Sequence, residues 1–175
     1  MSFLGLDIAQ KGLSLYTVSY PSPEASSAPP RSRWRQVPAA VASIMAAHTY
    51  ASIASGKLYD VANPRKLNDV VAADEKLNKI IKARIFRAEA AAANGFETLG
   101  LYAAGVVAAN VAGVDPRFVN TISFSYIGLR ILYNIVYIRL QDNRNWAPVR
   151  SLSWILSIAC TFTLYFTAAS KFASA

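Results

Sequence analysis

Residues 119–138, VNTISFSYIGLRILYNIVYI, form a 20-residue run interrupted by a single charge, Arg130. Twenty residues of helix rise about 30 Å, the thickness of a bilayer's hydrocarbon core. Three other runs have the same character. Residues 37–54 are Ala-rich, residues 88–114 contain the charge-free core LGLYAAGVVAA at 99–109, and residues 152–169 carry no charge at all. Together they predict an all-α protein, a four-transmembrane-helix bundle. Composition points the same way: of 175 residues 54% are hydrophobic and 16% charged, against about 25% charged in an ordinary soluble domain. Mean hydropathy is only +0.27 because so many apolar positions are alanine, and small residues let membrane helices approach closely. A soluble helical bundle with an Ala-rich core is the competing reading.

The net charge of +8 could signal nucleic acid, but such binders cluster Lys and Arg beside aromatics on a soluble fold. Here the cations fall between apolar runs, so a nucleic-acid partner is not expected. Lys57, Arg65, Lys66, Lys76, Lys79, Lys82, Arg84 and Arg87 separate the first two runs, and Arg139, Arg144 and Arg150 the last two. By the positive-inside rule both connections are cytoplasmic and both termini lumenal, with the first connection lying beside anionic headgroups. One cysteine, Cys160, excludes an internal disulfide. One histidine, His48, excludes a His/Cys metal site and a histidine-based triad, so no metal is expected. His48 has no carboxylate partner in its own run and reads as a packing residue, and Cys160 as an inert one in apolar surroundings. Trp34, Trp146 and Trp154 read as interfacial anchors.

Residues 1–36 form an N-terminal segment ahead of a membrane domain at 37–175. Asp7 and Lys11 interrupt any signal-peptide-like apolar core. The Pro/Ser-rich stretch 18–36 reads as a disordered linker. Alternatively it is a translated intron, whose removal would join residues 13–17 to 37–54 and lengthen the first span.

Ionisable groups inside a span cost about 2.5–3.5 kcal/mol each and mark function when they face the bundle interior. Tyr126, Arg130, Tyr133 and Tyr137 fall at i, i+4, i+7 and i+11, one narrow helical stripe. A helix continuing past the apolar run would bring Arg144 onto the same face. In the second run Arg87, Asn94 and Glu97 share one side, with Glu89 pointing away. One reading is a buried Glu97–Arg130 pair that joins two helices. The other is a site for a polar, zwitterionic ligand.

The runs RAEAAAANGFE at 87–97 and RILYNIVY at 130–137, with Arg144 just beyond and Asn63-Pro64-Arg65 upstream, resemble the MAPEG superfamily over residues 37–170. That superfamily includes microsomal glutathione transferases, leukotriene C synthase, microsomal prostaglandin E synthase and the five-lipoxygenase-activating protein. The resemblance implies a homotrimer in the endoplasmic reticulum membrane, a glutathione-dependent transferase that binds glutathione as co-substrate and acts on a lipophilic electrophile or peroxide drawn from the bilayer. Arg87, Asn94, Glu97, Arg130, Tyr133 and Tyr137 match substrate-binding positions, and Arg144 the catalytic arginine that stabilises the thiolate. Ala90 stands where many members carry a second arginine, and a proline common after the glutamate is missing. These departures keep open a non-catalytic lipid-binding or activator protein of the same fold.

Overall fold

The computed structural model describes residues 36–174, so the N-terminal segment and its linker lie outside the described residues. Five helices follow in order: α1 (Gln36–Ser55), α2 (Leu67–Ala73), α3 (Lys79–Val111), α4 (Pro116–Ile138) and α5 (Ala147–Ala173). No strand occurs among the described residues. Short 3₁₀ turns at Gly56–Leu58 and Pro64–Lys66 lead from α1 to α2, and two more at Leu140–Asp142 and Arg144–Trp146 join α4 to α5.

Local chemistry sets the helix ends. Asn78 caps α3, its side-chain oxygen accepting from the Ile80 amide at 2.8 Å, and Asp115 caps α4 by accepting from the Phe118 amide at 3.0 Å, ahead of Pro116. At the other end of α3 the Val114 amide reaches back to the Ala109 carbonyl at 3.0 Å. Gly113 makes this reversal possible with φ +69°, a conformation costly for any residue with a Cβ.

Three helical segments are long and apolar enough to cross a membrane: Gln36–Leu58, Pro116–Asp142 and Arg144–Ala173. The expected second span, 88–114, is the exception. It lies inside α3, the longest helix at 33 residues, whose first part carries Lys79, Lys82, Arg84, Arg87, Glu89 and Glu97. The charge-free remainder, 98–111, rises only about 21 Å. Several charges on α3 are instead satisfied inside the protein. Glu89 receives His48 Nδ1 of α1 at 2.8 Å, and Arg84 and Arg87 both pair with Asp142 beyond α4. His48 therefore has the carboxylate partner that its own helix does not supply, and its Nε2 lies 3.4 Å from the Tyr59 hydroxyl.

α3 packs against all three other long helices, most extensively against α1, while α5 lies chiefly along α4. The α1–α3 crossing is built from small residues: Ala47 and Ala51 meet Ala88, Ala91 and Ala92, all buried. Its tightest point is Gly95, where a Cβ would stand 2.6 Å from Ile44 Cγ1. The interior divides into two apolar clusters. One contains Ile44, Ala47, Ile85, Ala88 and Tyr133, and the other Tyr102, Val106, Tyr126, Ile127 and Leu164. Asn94 and Arg130 lie between them along their helices and form a polar layer.

Gly95→Ala should lower the thermal midpoint of the detergent-solubilised protein, because forcing a methyl into a filled crossing costs about 1–3 kcal/mol. Gly100→Ala, with nothing within 4 Å of the added carbon, should leave the midpoint unchanged or raised, as alanine is the better helix former. Equal midpoints for the two variants would show that the α1–α3 contact is loose.

Candidate functional site

The α4 stripe faces inward as its spacing predicts. Tyr126 is fully buried, Arg130 and Tyr133 are buried, and Tyr137 is half-buried. Arg130 donates from Nη1 to Asn94 Oδ1 of α3 at 3.0 Å, and its guanidinium lies 4.8 Å from the centre of the Tyr133 ring. Below it the rings of Tyr102 and Tyr126 stack in parallel at 3.9 Å. Above it Tyr133 leans on Tyr137 at 5.6 Å, and Arg150 of α5 covers the Tyr137 ring at 5.0 Å. Aromatic faces attract guanidinium groups most strongly out of water. The result is a ladder of alternating cations and phenols rising from the bundle interior to its basic end.

Beside this ladder a cleft of about 370 Å³ is lined by Asn94, Tyr133, Arg150, Ser151, Trp154 and Ile155. Its size falls within the usual range for small-molecule sites, about 300–1,000 Å³. The Trp154 indole Nε1 is buried with no hydrogen-bond partner among the described residues, and a buried donor left unpaired costs about 1–3 kcal/mol. A ligand in the cleft that accepts from this nitrogen would remove the cost. Trp154 is thus a half-buried wall of the cleft rather than an interfacial anchor; Trp146, 40% exposed, suits that role better.

The sequence-derived candidates divide into two groups. Asn94 and Tyr133 line the cleft, with Arg130 and Tyr137 packed directly behind them. Arg87, Glu97 and Arg144 do not. Arg87 donates to Asp142 and to the Ile138 carbonyl, the latter at 3.3 Å, which ties α3 to the α4–α5 connection. Glu97 is exposed and is in no ion pair among the described residues, so the expected Glu97–Arg130 pair is absent. The reason is angular: Glu97 lies three residues, roughly 60°, around the helix from Asn94, and Asn94 takes the partner position. Arg144 does not continue the stripe either, because α4 stops at Ile138 and Arg144 sits exposed in a 3₁₀ turn. Ala90 is also exposed.

Sequence reasoning missed Arg150, Ser151 and Trp154. Arg150 and Trp154 stand at i and i+4 at the start of α5, the same spacing that marked the α4 stripe. Read from sequence alone they separate, Arg150 as a loop cation and Trp154 as an interfacial anchor. It also missed Asp142, whose only signal was being the one carboxylate in the 139–150 connection.

A model of the MAPEG family matches residues 36–170. The chain belongs to the MAPEG family. It is therefore an integral membrane protein of the glutathione-transferase and eicosanoid-synthesis type, and its helical bundle is that family's architecture. No curated protein and no solved structure matches it.

Asp142 accepts from both Arg84 and Arg87 and so ties the α4–α5 connection to α3. Asp142→Asn should speed hydrogen exchange of residues 139–146 at neutral pH, measured against the wild type at the same pH. An unchanged rate in the variant would show that the two arginines do not hold the loop.

Proposed function

We propose that this MAPEG protein binds glutathione in the cleft beside Arg130 and uses it on a lipophilic substrate that enters from the bilayer, conjugating an electrophile or reducing a peroxide. The observation that carries the reading is the buried Arg130, held by Asn94 and Tyr133, which themselves line the cleft together with Arg150. Glutathione presents two carboxylates and a thiol, and arginine suits both tasks because it stays charged and binds carboxylates in bidentate fashion. Arg130, in the polar layer, offers its remaining N–H groups to a carboxylate, and the Trp154 Nε1–H supplies a neutral donor.

The chemistry requires a thiolate. A free thiol has a pKa of about 8.5, and a guanidinium in low-dielectric surroundings lowers it. With an electrophile the sulfur attacks the carbon, forming the C–S bond as the leaving group departs with its electron pair; with a peroxide it attacks an oxygen as the O–O bond breaks and the alkoxide leaves, and a second glutathione then displaces the sulfenic oxygen as water to give the disulfide. Arg144, the position implied by resemblance, is exposed in the connecting turn, whereas Arg150 lines the cleft. We therefore assign thiolate stabilisation to Arg150. The Ile155 side of the cleft continues into the exposed apolar surface of α5, Leu152, Ile155 and Leu156. A bilayer-soluble electrophile would arrive along it.

A homotrimer is part of the same proposal. Gly95 packs on Ile44, midway along α1, so Glu97 lies near the middle of the membrane on an exposed face with Phe96 and Leu101. A carboxylate facing lipid there costs about 2.5–3.5 kcal/mol, and a neighbouring copy that covers it relieves the cost. Glu97→Arg should then reduce the oligomer mass measured by light scattering in detergent, while an unchanged mass would mean that this face is not the subunit contact.

The second reading, a non-catalytic lipid-binding activator, is favoured by Arg87 being engaged by Asp142 and by Ala90 at the family's second arginine position. Calorimetric titration with glutathione followed by turnover of an aryl halide separates the two. Binding with turnover is expected; binding without turnover supports the activator, and no binding contradicts both the cleft assignment and the transferase. Within the transferase reading, Arg150→Ala should return the bound thiol towards a pKa of about 8.5, read by thiolate ultraviolet absorbance across pH. Arg144→Ala should leave the titration unchanged. The opposite ranking would overturn the assignment to Arg150.

A further inference from the structure

On the side of the bundle away from the cleft, α1 and α4 make the loosest lateral contact among neighbouring long helices, and a groove of about 220 Å³ opens between them. Its lining is a single face of each helix. Ser43, Ala46, Ala47 and Tyr50 recur at helical spacing on α1, and Ile131, Asn134, Ile135 and Ile138 on α4, with Arg139 following. From Ser43 to Tyr50 it runs about 10 Å along the membrane normal. Two ends of different chemistry bound an apolar middle. At the deep end the Asn134 amide donates to the Ser43 carbonyl at 2.9 Å and bridges the helices. At the basic end the exposed Arg139 guanidinium lies over the Tyr50 ring at 5.4 Å, and it is in no ion pair among the described residues.

We propose that this groove holds one acyl chain of an anionic phospholipid whose phosphate is bound by Arg139. Three observations select that occupant. The groove opens on an exposed apolar face of two helices long and apolar enough to cross a membrane, with Ile131 and Ile135 about half exposed, which suits an acyl chain. Stacking on Tyr50 fixes the orientation of Arg139 while leaving its N–H edge without a carboxylate, and guanidinium binds phosphate oxygens through paired hydrogen bonds. The cation also stands where α1 and α4 end, at headgroup depth, on the side of the bundle that carries the Lys/Arg-rich connections. Each cation near an anionic surface adds attraction of its own. A zwitterionic lipid would gain the groove contacts but lose much of the charge attraction. The proposal does not depend on glutathione binding.

The test uses the full-length protein reconstituted in nanodiscs of phosphatidylcholine with phosphatidylglycerol, followed by native mass spectrometry of the lipid retained per chain. The wild type should retain about one phosphatidylglycerol per chain, in preference to phosphatidylcholine. Arg139→Gln, at an exposed position, should lower phosphatidylglycerol retention about tenfold, the loss of one charge-assisted contact, and leave phosphatidylcholine unchanged. Ala46→Leu, which fills the groove, should lower retention of both lipids; should that variant not fold, Arg139→Gln alone decides. Equal retention of the two lipids by the wild type, or wild-type retention by Arg139→Gln, would overturn the proposal. So would an interchain disulfide formed in high yield by Ile135→Cys, since the groove would then be covered by a second copy.

Discussion

A guanidinium in the interior of a membrane bundle is the constraint around which the other features are arranged. Arg130 cannot reach water as a surface arginine does, and the charge must be met by what the helices bring to it. Asn94 supplies an oxygen from α3, and Tyr133 a π face from α4 itself. The Asn94 contact requires that α3 and α4 approach closely at one depth. The small residues of the α1–α3 crossing allow this: Gly95 follows Asn94 immediately and seats against Ile44, so the contact that sets the helix spacing also sets the position of the amide. A bulkier residue at 95 would move Asn94 away from Arg130.

The mixed character of α3 follows from the same arrangement. A helix with six charges in its first 19 residues is a poor membrane span on its own. In this bundle its charges are distributed among neighbours: Glu89 to His48, Arg84 and Arg87 to Asp142, with Asn94 to Arg130 adding a polar tie. Each of these contacts links a different helix or connection. They form the cross-bracing of a structure in which the hydrophobic effect does little to hold one helix against another. Glu97 has no such partner among the described residues and is exposed within the apolar part of the bundle's surface.

The helices and the inward face of α4 were legible in the sequence because both depend on local periodicity. Tyr126, Arg130, Tyr133 and Tyr137 lie on one face of any α-helix, whatever surrounds it. What could not be read was pairing between helices. Arg130 could choose between Asn94 and Glu97 only once the rotation of α3 was known, and Arg144 fell off the stripe because α4 ends at Ile138 and the chain turns through 3₁₀ geometry. Arg150 and Trp154 were hidden for a related reason. Their i, i+4 spacing is visible, but whether that face of α5 meets the ladder or the lipid is decided by packing alone. The N-terminal linker expected at 18–36 lies outside the described residues.

Cryo-electron microscopy of the protein in nanodiscs, with and without glutathione, tests the central claim most directly. The account predicts tripeptide density in the cleft bounded by Asn94, Tyr133, Arg150 and Trp154, with a carboxylate on Arg130 and the sulfur nearest Arg150. An unchanged cleft with tripeptide density at Arg144, or no density at saturating glutathione, would contradict it.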